Sequence, residues 1–129
     1  MQISFAQTDK ILHQSFFIED INRVELVLFD DAYELISWSG NTILTETIVS
    51  FSFAPSYVLE FYIDKKHRYE IRDSVVQNDL YLVSADLKRD LIIYKSVECD
   101  EEVSTKIYLP DSFVEISENV FEKRNSNRE

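Results

Sequence analysis

Turn-forming residues punctuate this chain roughly every 10 to 14 positions, at Asp30-Asp31, Ser39-Gly40-Asn41, Ala54-Pro55, Lys65-Lys66-His67, Asn78-Asp79, Lys88-Arg89-Asp90 and Asp100-Glu101-Glu102. That rhythm suits consecutive strands joined by short turns better than strands alternating with long crossover helices. The chain holds one glycine. Tight turns usually recruit glycine for positive φ, so Asn and Asp are expected to take that role here.

The segments between the turns have β character. Val24, Leu26 and Leu28 alternate with Glu25, Val27 and Phe29, and Tyr57, Leu59, Phe61 and Ile63 alternate with Val58, Glu60, Tyr62 and Asp64. Residues 43–53 are rich in Thr, Val, Ile and Phe and are long enough to bend across two sheets or a barrel corner. Residues 80–85 and 91–97 read as a hairpin pair, and 105–109 as a final strand. Near the start, Thr8 can cap a helix carrying Ile11, Leu12, Ser15 and Phe16, while Phe16-Phe17-Ile18 equally suits a strand. Near the end, Ser112 and Glu115 have capping-box spacing, and Phe113, Ile116, Val120 and Phe121 fall at helical intervals. The expected fold is mainly β (α+β): an antiparallel meander of about seven or eight strands forming a curved sheet, sandwich or barrel, with a short C-terminal helix and an N-terminal segment open to helix. With 129 residues, a single globular domain over 1–124 and a frayed tail over 125–129 are expected.

Charge is segregated. Between Arg23 and Lys65 there is no Lys, Arg or His, while Glu25, Asp30, Asp31, Glu34, Glu46, Glu60 and Asp64 place seven carboxylates among apolar residues. Carboxylates repelling across neighbouring strands would destabilise the fold unless a partner relieved them. With a formal charge of −11, the chain is expected to avoid nucleic acid and anionic membrane surfaces, whose binding needs Lys and Arg, and to favour basic proteins. No apolar run reaches the length of a membrane span, and the first residues lack the charge and hydropathy pattern of a secretory signal, so a cytoplasmic protein is expected. Cys99 is the only cysteine, which excludes an internal disulfide, and its acidic neighbours disfavour the thiolate.

The sequence lacks the parts of known reaction centres. One glycine cannot build a phosphate loop, His13 and His67 are not spaced as zinc ligands, and Gly40 does not sit in a nucleophile elbow. The acidic pairs lack the spacing of a calcium loop and read as solvated turns. No cofactor, no metal and no enzymatic activity are expected. The leading expectation is a small acidic inhibitor of a basic partner, such as an immunity protein, an antitoxin, or a nucleic-acid mimic acting on a nuclease toxin or another nucleic-acid-binding enzyme. Its partner-binding surface is expected at Glu25, Asp30, Asp31, Glu34, Trp38, Glu46, Glu60, Tyr62 and Asp64, with Glu60, Tyr62 and Asp64 on one outward strand face. Lys65, Lys66, Arg68 and Arg72 read as a solvated hairpin, though such a group can also bind phosphate. Two alternatives are a lipocalin-like carrier or sensor of a small apolar ligand, and a structural or assembly subunit; opposite-signed patches also permit a homodimer.

Overall fold

The computed structural model describes residues 5–29 and 32–124. Its elements in chain order are β1 (Thr8–Phe17), β2 (Arg23–Val27), β3 (Glu34–Trp38), β4 (Thr42–Ser52), α1 (Ser56–Asp64), β5 (Ile71–Val76), β6 (Asp79–Ser84), β7 (Ile93–Tyr94), β8 (Val97–Glu98), β9 (Asp100–Pro110), β10 (Phe113–Ser117) and β11 (Val120–Lys123). The fold is mainly β, as expected, but it is not one meander. A four-stranded sheet runs β1-β4-β9-β3, a five-stranded sheet runs β10-β11-β2-β6-β5, and β7 and β8 form a separate hairpin. No barrel closes.

Two pairings are parallel, β2 with β6 and β3 with β9. The expected β2–β3 hairpin is therefore absent: the two strands go to different sheets. Strand character reads off β-branched and apolar alternation, but partner choice depends on contacts far away in sequence. Residues 80–84 likewise pair with β5 and β2 and not with residues 91–97, which fold on themselves as β7 and β8.

The inner faces of the two large sheets share one core. Phe16, Ile43, Ile107 and Leu109 come from the four-stranded sheet, and Val24, Leu26, Leu80, Leu82 and Phe121 from the five-stranded one. A second core lies further along the same inner face of β4, where Val49 and Phe51 meet Ala54, Leu59, Tyr69, Ile92 and Cys99. Along β4, every odd-numbered residue from Ile43 to Phe51 is buried, so a single strand face serves both cores.

Three expected elements are corrected. Thr8–Phe17 is a strand, without an N-terminal helix; its even-numbered side chains turn inward and Phe16 is buried. The segment read as the cleanest strand, Tyr57–Asp64, is helix α1. Tyr57, Val58, Leu59, Phe61, Tyr62 and Ile63 are interrupted only at Glu60, so period two and period 3.6 both fit. Pro55 at the N-cap and the packing of Val58, Leu59, Tyr62 and Ile63 on the second core show which won. The expected C-terminal helix is the β10–β11 hairpin, with a register shift between Glu115 and Ser117. Asn119 takes φ 64° at its turn, and the β-branched residues Val114, Ile116 and Val120 suit strands.

Positive φ is also distributed differently. Asp20 and Asn119 fit the expectation, but Phe53, His67, Gln77, Arg89, Lys95 and Ser96 adopt it too. Consecutive positive φ at Lys95 and Ser96 matches the two-residue turn that the β7–β8 hairpin twist favours. The single glycine serves space instead: Gly40 has no positive φ, and a Cβ there would lie 2.1 Å from Cη2 of Trp38. The indole Nε1–H of Trp38 donates to the Thr42 carbonyl oxygen at 3.0 Å, holding the ring over the turn. Where the two sheets meet, the Gln14 side chain clasps the Ile71 backbone: its Nε2 donates to the Ile71 carbonyl and its Oε1 accepts the Ile71 N–H, both at 2.8 Å.

Gly40→Ala is expected to cost about 1–3 kcal/mol, the range for overpacking. Trp38 is the sole tryptophan, so its fluorescence should shift to the red as the ring is displaced, and urea unfolding should show the lower midpoint.

Candidate functional site

The sequence-read carboxylates do not share one surface. Asp30 and Asp31 lie outside the described residues. Glu25 is on the outward side of β2, 3.5 Å from Arg23. Glu34 and Glu46 are on the outer face of the four-stranded sheet, in a cross-strand row that reads His13, Glu46, Lys106, Glu34. His13 Nε2 lies 3.2 Å from Glu46 Oε2. Lys106 of β9, the strand between β4 and β3, thus stands between Glu46 and Glu34, and the expected cross-strand repulsion does not arise there. Glu60 and Asp64 project from exposed positions of α1, with Glu60 3.7 Å from Lys10 Nζ. Tyr62 does not join them, because two residues along a helix turn it to another side, where it packs on the second core. Trp38 is occupied with its own turn.

A different set of residues comes together between the two cores. The inner face of β9 runs from apolar Leu109 and Ile107 through Thr105 and Val103 to Glu101. The facing positions of β4 are Thr45 and Thr47, both buried. Just past the end of α1, His67 at φ 52° turns the chain so that Arg68 and Tyr69 point inward. Arg68 is 3% exposed and forks onto Glu101: Nε donates to Oε2 and Nη2 to Oε1, each at 2.9 Å. Its Nη2 also donates to the Asp90 carbonyl at 2.8 Å, and the Tyr69 hydroxyl donates to Glu101 Oε2. The Arg68 guanidinium stands 5.4 Å from the Tyr62 ring centre.

Burial opposes both charges of this pair, yet they are retained. Burial works to raise the Glu101 pKa, but the hydrogen bonds from Arg68 and Tyr69, with the charges of Arg68 and Arg89, hold it below the ordinary value. Burial likewise works to lower that of Arg68, and Glu101 outweighs it. The Tyr69 phenol is pushed well above its usual range, first by burial and then by its hydrogen bond to Glu101.

Beside this pair lies a cleft of about 260 Å³. Thr47, Thr105, Ser84 and Glu101 give it polar walls, and Leu28, Ile71, Leu91 and Val103 are among its apolar ones. Arg89 enters from the loop after β6 at φ 44°, with its guanidinium 4.7 Å from the Phe29 ring centre and 5.3 Å from that of Tyr69. Asp86 Oδ1 accepts the backbone N–H groups of Lys88 and Arg89 and so shapes this loop. The buried Nε of Arg89 has no hydrogen-bond partner among the described residues, and burial pulls the Arg89 pKa down.

Sequence reading placed Arg68 in a solvated hairpin and Glu101 in an exposed turn. The signal for Glu101 was present: stepping back by twos from the apolar Ile107 and Leu109 reaches it on the same face. Nothing comparable marks Arg68 or Arg89. Among the described residues no cluster of His, Cys, Asp or Glu is arranged to hold a metal ion, and no helix is long and apolar enough to cross a membrane. Cys99 is buried, which raises its thiol pKa. No known protein family, no curated protein and no solved structure matches the chain.

Removing one partner of a buried pair leaves the other charge uncompensated. Arg68→Met or Glu101→Gln is expected to cost about 3–5 kcal/mol by urea unfolding, and Arg68→Met with Glu101→Leu together less than the sum. The pH dependence follows from the two pKa directions. A lowered Glu101 contributes stability present above its unfolded value near 4.5 and lost as pH falls through the folded pKa. A raised Tyr69 contributes stability present below its unfolded value of 10.0 and lost as pH rises beyond it. Tyr69→Phe should therefore flatten the alkaline fall in urea midpoint, followed by circular dichroism.

Proposed function

We propose that the chain is a small acidic binding protein without enzymatic activity that neutralises a basic protein partner, with an immunity protein, antitoxin or nucleic-acid-mimicking inhibitor as its concrete form. The observation that carries this reading is an uncompensated acidic end on the outer face of the four-stranded sheet. Asp9 faces Ser50 and Ser50 faces Glu102 across the strands, and Asp100 faces Ser52. Each of the three carboxylates has a serine beside it where Glu46 has Lys106, and all three are exposed. Ile11, 56% exposed, and its neighbour Ile48 adjoin the acidic end and supply apolar area for contact. The lipocalin-like alternative gains less, since the sheets stay open and the cleft beside Arg89 has polar walls.

A charged patch of this kind acts chiefly on the association rate. The full chain used as bait should retain a basic protein from its source cell, with an on-rate that falls about tenfold or more as salt is raised. Asp9→Lys with Asp100→Lys and Glu102→Lys should abolish that retention, while Glu25→Lys with Glu60→Lys leaves it. Unchanged binding by the triple variant would overturn the reading.

The assembly alternative has one observation of its own. The row Glu34, Lys106, Glu46, His13 reverses its charge pattern about its centre. A second copy facing it across a two-fold axis along the strands would set Lys106 opposite Glu46 and Glu34 opposite His13. Light scattering should then give twice the chain mass of 15.2 kDa. Lys106→Glu should yield monomer, and adding Glu46→Lys should restore the dimer; a monomeric wild type would end this reading.

A further inference from the structure

We propose that the cleft between the two cores is a binding site for a small organic anion, a molecule with one carboxylate or phosphate group on a short apolar body, held by the guanidinium of Arg89. This site is independent of the acidic outer face and uses the opposite charge. Three observations carry it. First, the guanidinium of Arg89 forms no ion pair or hydrogen bond with a carboxylate among the described residues: Glu101, the carboxylate on the same wall, already has both oxygens engaged by Arg68 and Tyr69. Second, the buried Nε of Arg89 finds no acceptor among the described residues, although a buried donor left unpaired is costly. Third, the backbone at Arg89 sits at φ 44°, a conformation that costs a non-glycine residue energy, and Asp86 and the rings of Phe29 and Tyr69 hold the loop and guanidinium in place. The loop carries strain that delivers one cation to one place.

The walls define the ligand class. Ser84 Oγ accepts the Phe29 backbone N–H at 2.9 Å, which leaves its own hydroxyl proton free to donate. Thr47 and Thr105 add two more hydroxyls. These donors suit the oxygens of an anion, while Leu28, Leu91 and Val103 suit a short hydrocarbon or ring. At about 260 Å³ the cleft is just below the roughly 300 Å³ at which ordinary ligand pockets begin, which favours a small acid over a nucleotide or a lipid chain. The burial that pulls the Arg89 pKa down also makes an anion bound there more strongly attracted than at the surface.

The test is a titration of the full-length, uniformly nitrogen-15-labelled chain with sodium propionate, sodium benzoate and inorganic phosphate, each against sodium chloride at matched ionic strength. The readout is the arginine Nε–Hε region of the nitrogen–proton spectrum, where Arg89 is assigned by its loss in Arg89→Met. At least one probe should shift the Arg89 Nε–Hε signal saturably. Arg89→Met should weaken that probe's binding at least tenfold by calorimetry, and Arg72→Met, which alters an exposed arginine outside the cleft, should leave it unchanged. Should Arg89→Met not fold, Thr105→Val provides the second variant, with a several-fold loss expected while the remaining spectrum is preserved. Preference for benzoate or propionate supports the organic acid, and preference for phosphate supports the phosphorylated form of the same ligand class. No saturable shift with any probe, a shift reproduced by chloride, or affinity unchanged in both Arg89→Met and Thr105→Val would overturn the proposal.

Discussion

Arg68 and Glu101 meet at the point where the two cores would otherwise fall apart into separate clusters. The inner face of β4 is apolar at both ends with Thr45 and Thr47 between, and that of β9 runs from Ile107 and Leu109 through Thr105 to Glu101. A polar band across a sheet interior is tolerable only if its groups find partners. The forked guanidinium satisfies both carboxylate oxygens, takes in the Tyr69 hydroxyl, and reaches the Asp90 carbonyl in the loop leading to β7. One side chain thereby joins the exit of α1, the start of β9 and the 85–92 connection. The pair does not have to add much net stability to have this effect, because a buried pair acts mainly by penalising arrangements that leave either charge alone.

The charge pattern in the sequence has a different meaning once the strands are placed. A run of seven carboxylates without a cation looks like one acidic face only if strands close in sequence are also neighbours in space. Here β2 and β3 part company into different sheets, and β9 inserts between β3 and β4 with Lys106 at the level of Glu34 and Glu46. Lys106 is set beside Glu34 by the parallel β3–β9 pairing and beside Glu46 by the antiparallel β4–β9 pairing, both long-range. The outer-face carboxylates that stand beside serines, Asp9, Asp100 and Glu102, are brought to one end of the sheet only by the β1–β4 and β4–β9 pairings.

What could be read from residue order was local. The alternation in Val24, Leu26 and Leu28, the length of the strand now seen as β4, and the β content as a whole rest on side-chain periodicity, which a strand expresses without knowing its partner. Periodicity failed where apolar residues fall on both faces, as in α1, and where two periods coincide, as around Phe113, Ile116 and Val120. Positive φ at Arg89 and His67 was also invisible, since neither residue type advertises it. The candidate site depends on just those two backbone turns. Arg68 and Arg89 therefore looked like ordinary loop cations, and the interior they fill emerges only when α1, β6 and β9 are brought together.

The clasp of Gln14 on Ile71 bears on how the five-stranded sheet ends. A primary amide offers one donor and one acceptor with nearly the spacing of a peptide group, so Gln14 supplies the first rung of a strand that is otherwise missing beside β5. Beyond Ile71 the ladder is unfinished: β5 is the last strand in its sheet, and residues 72–76 are all exposed. Any segment adding itself to that edge would have its register fixed before it arrived, because the position at Ile71 is already taken, the backbone groups of Arg72 face β6, and pairing can begin only at Asp73. The adjacent side chains of Arg72 and Asp73 present both signs of charge where that open edge begins, and there they discourage indiscriminate strand addition.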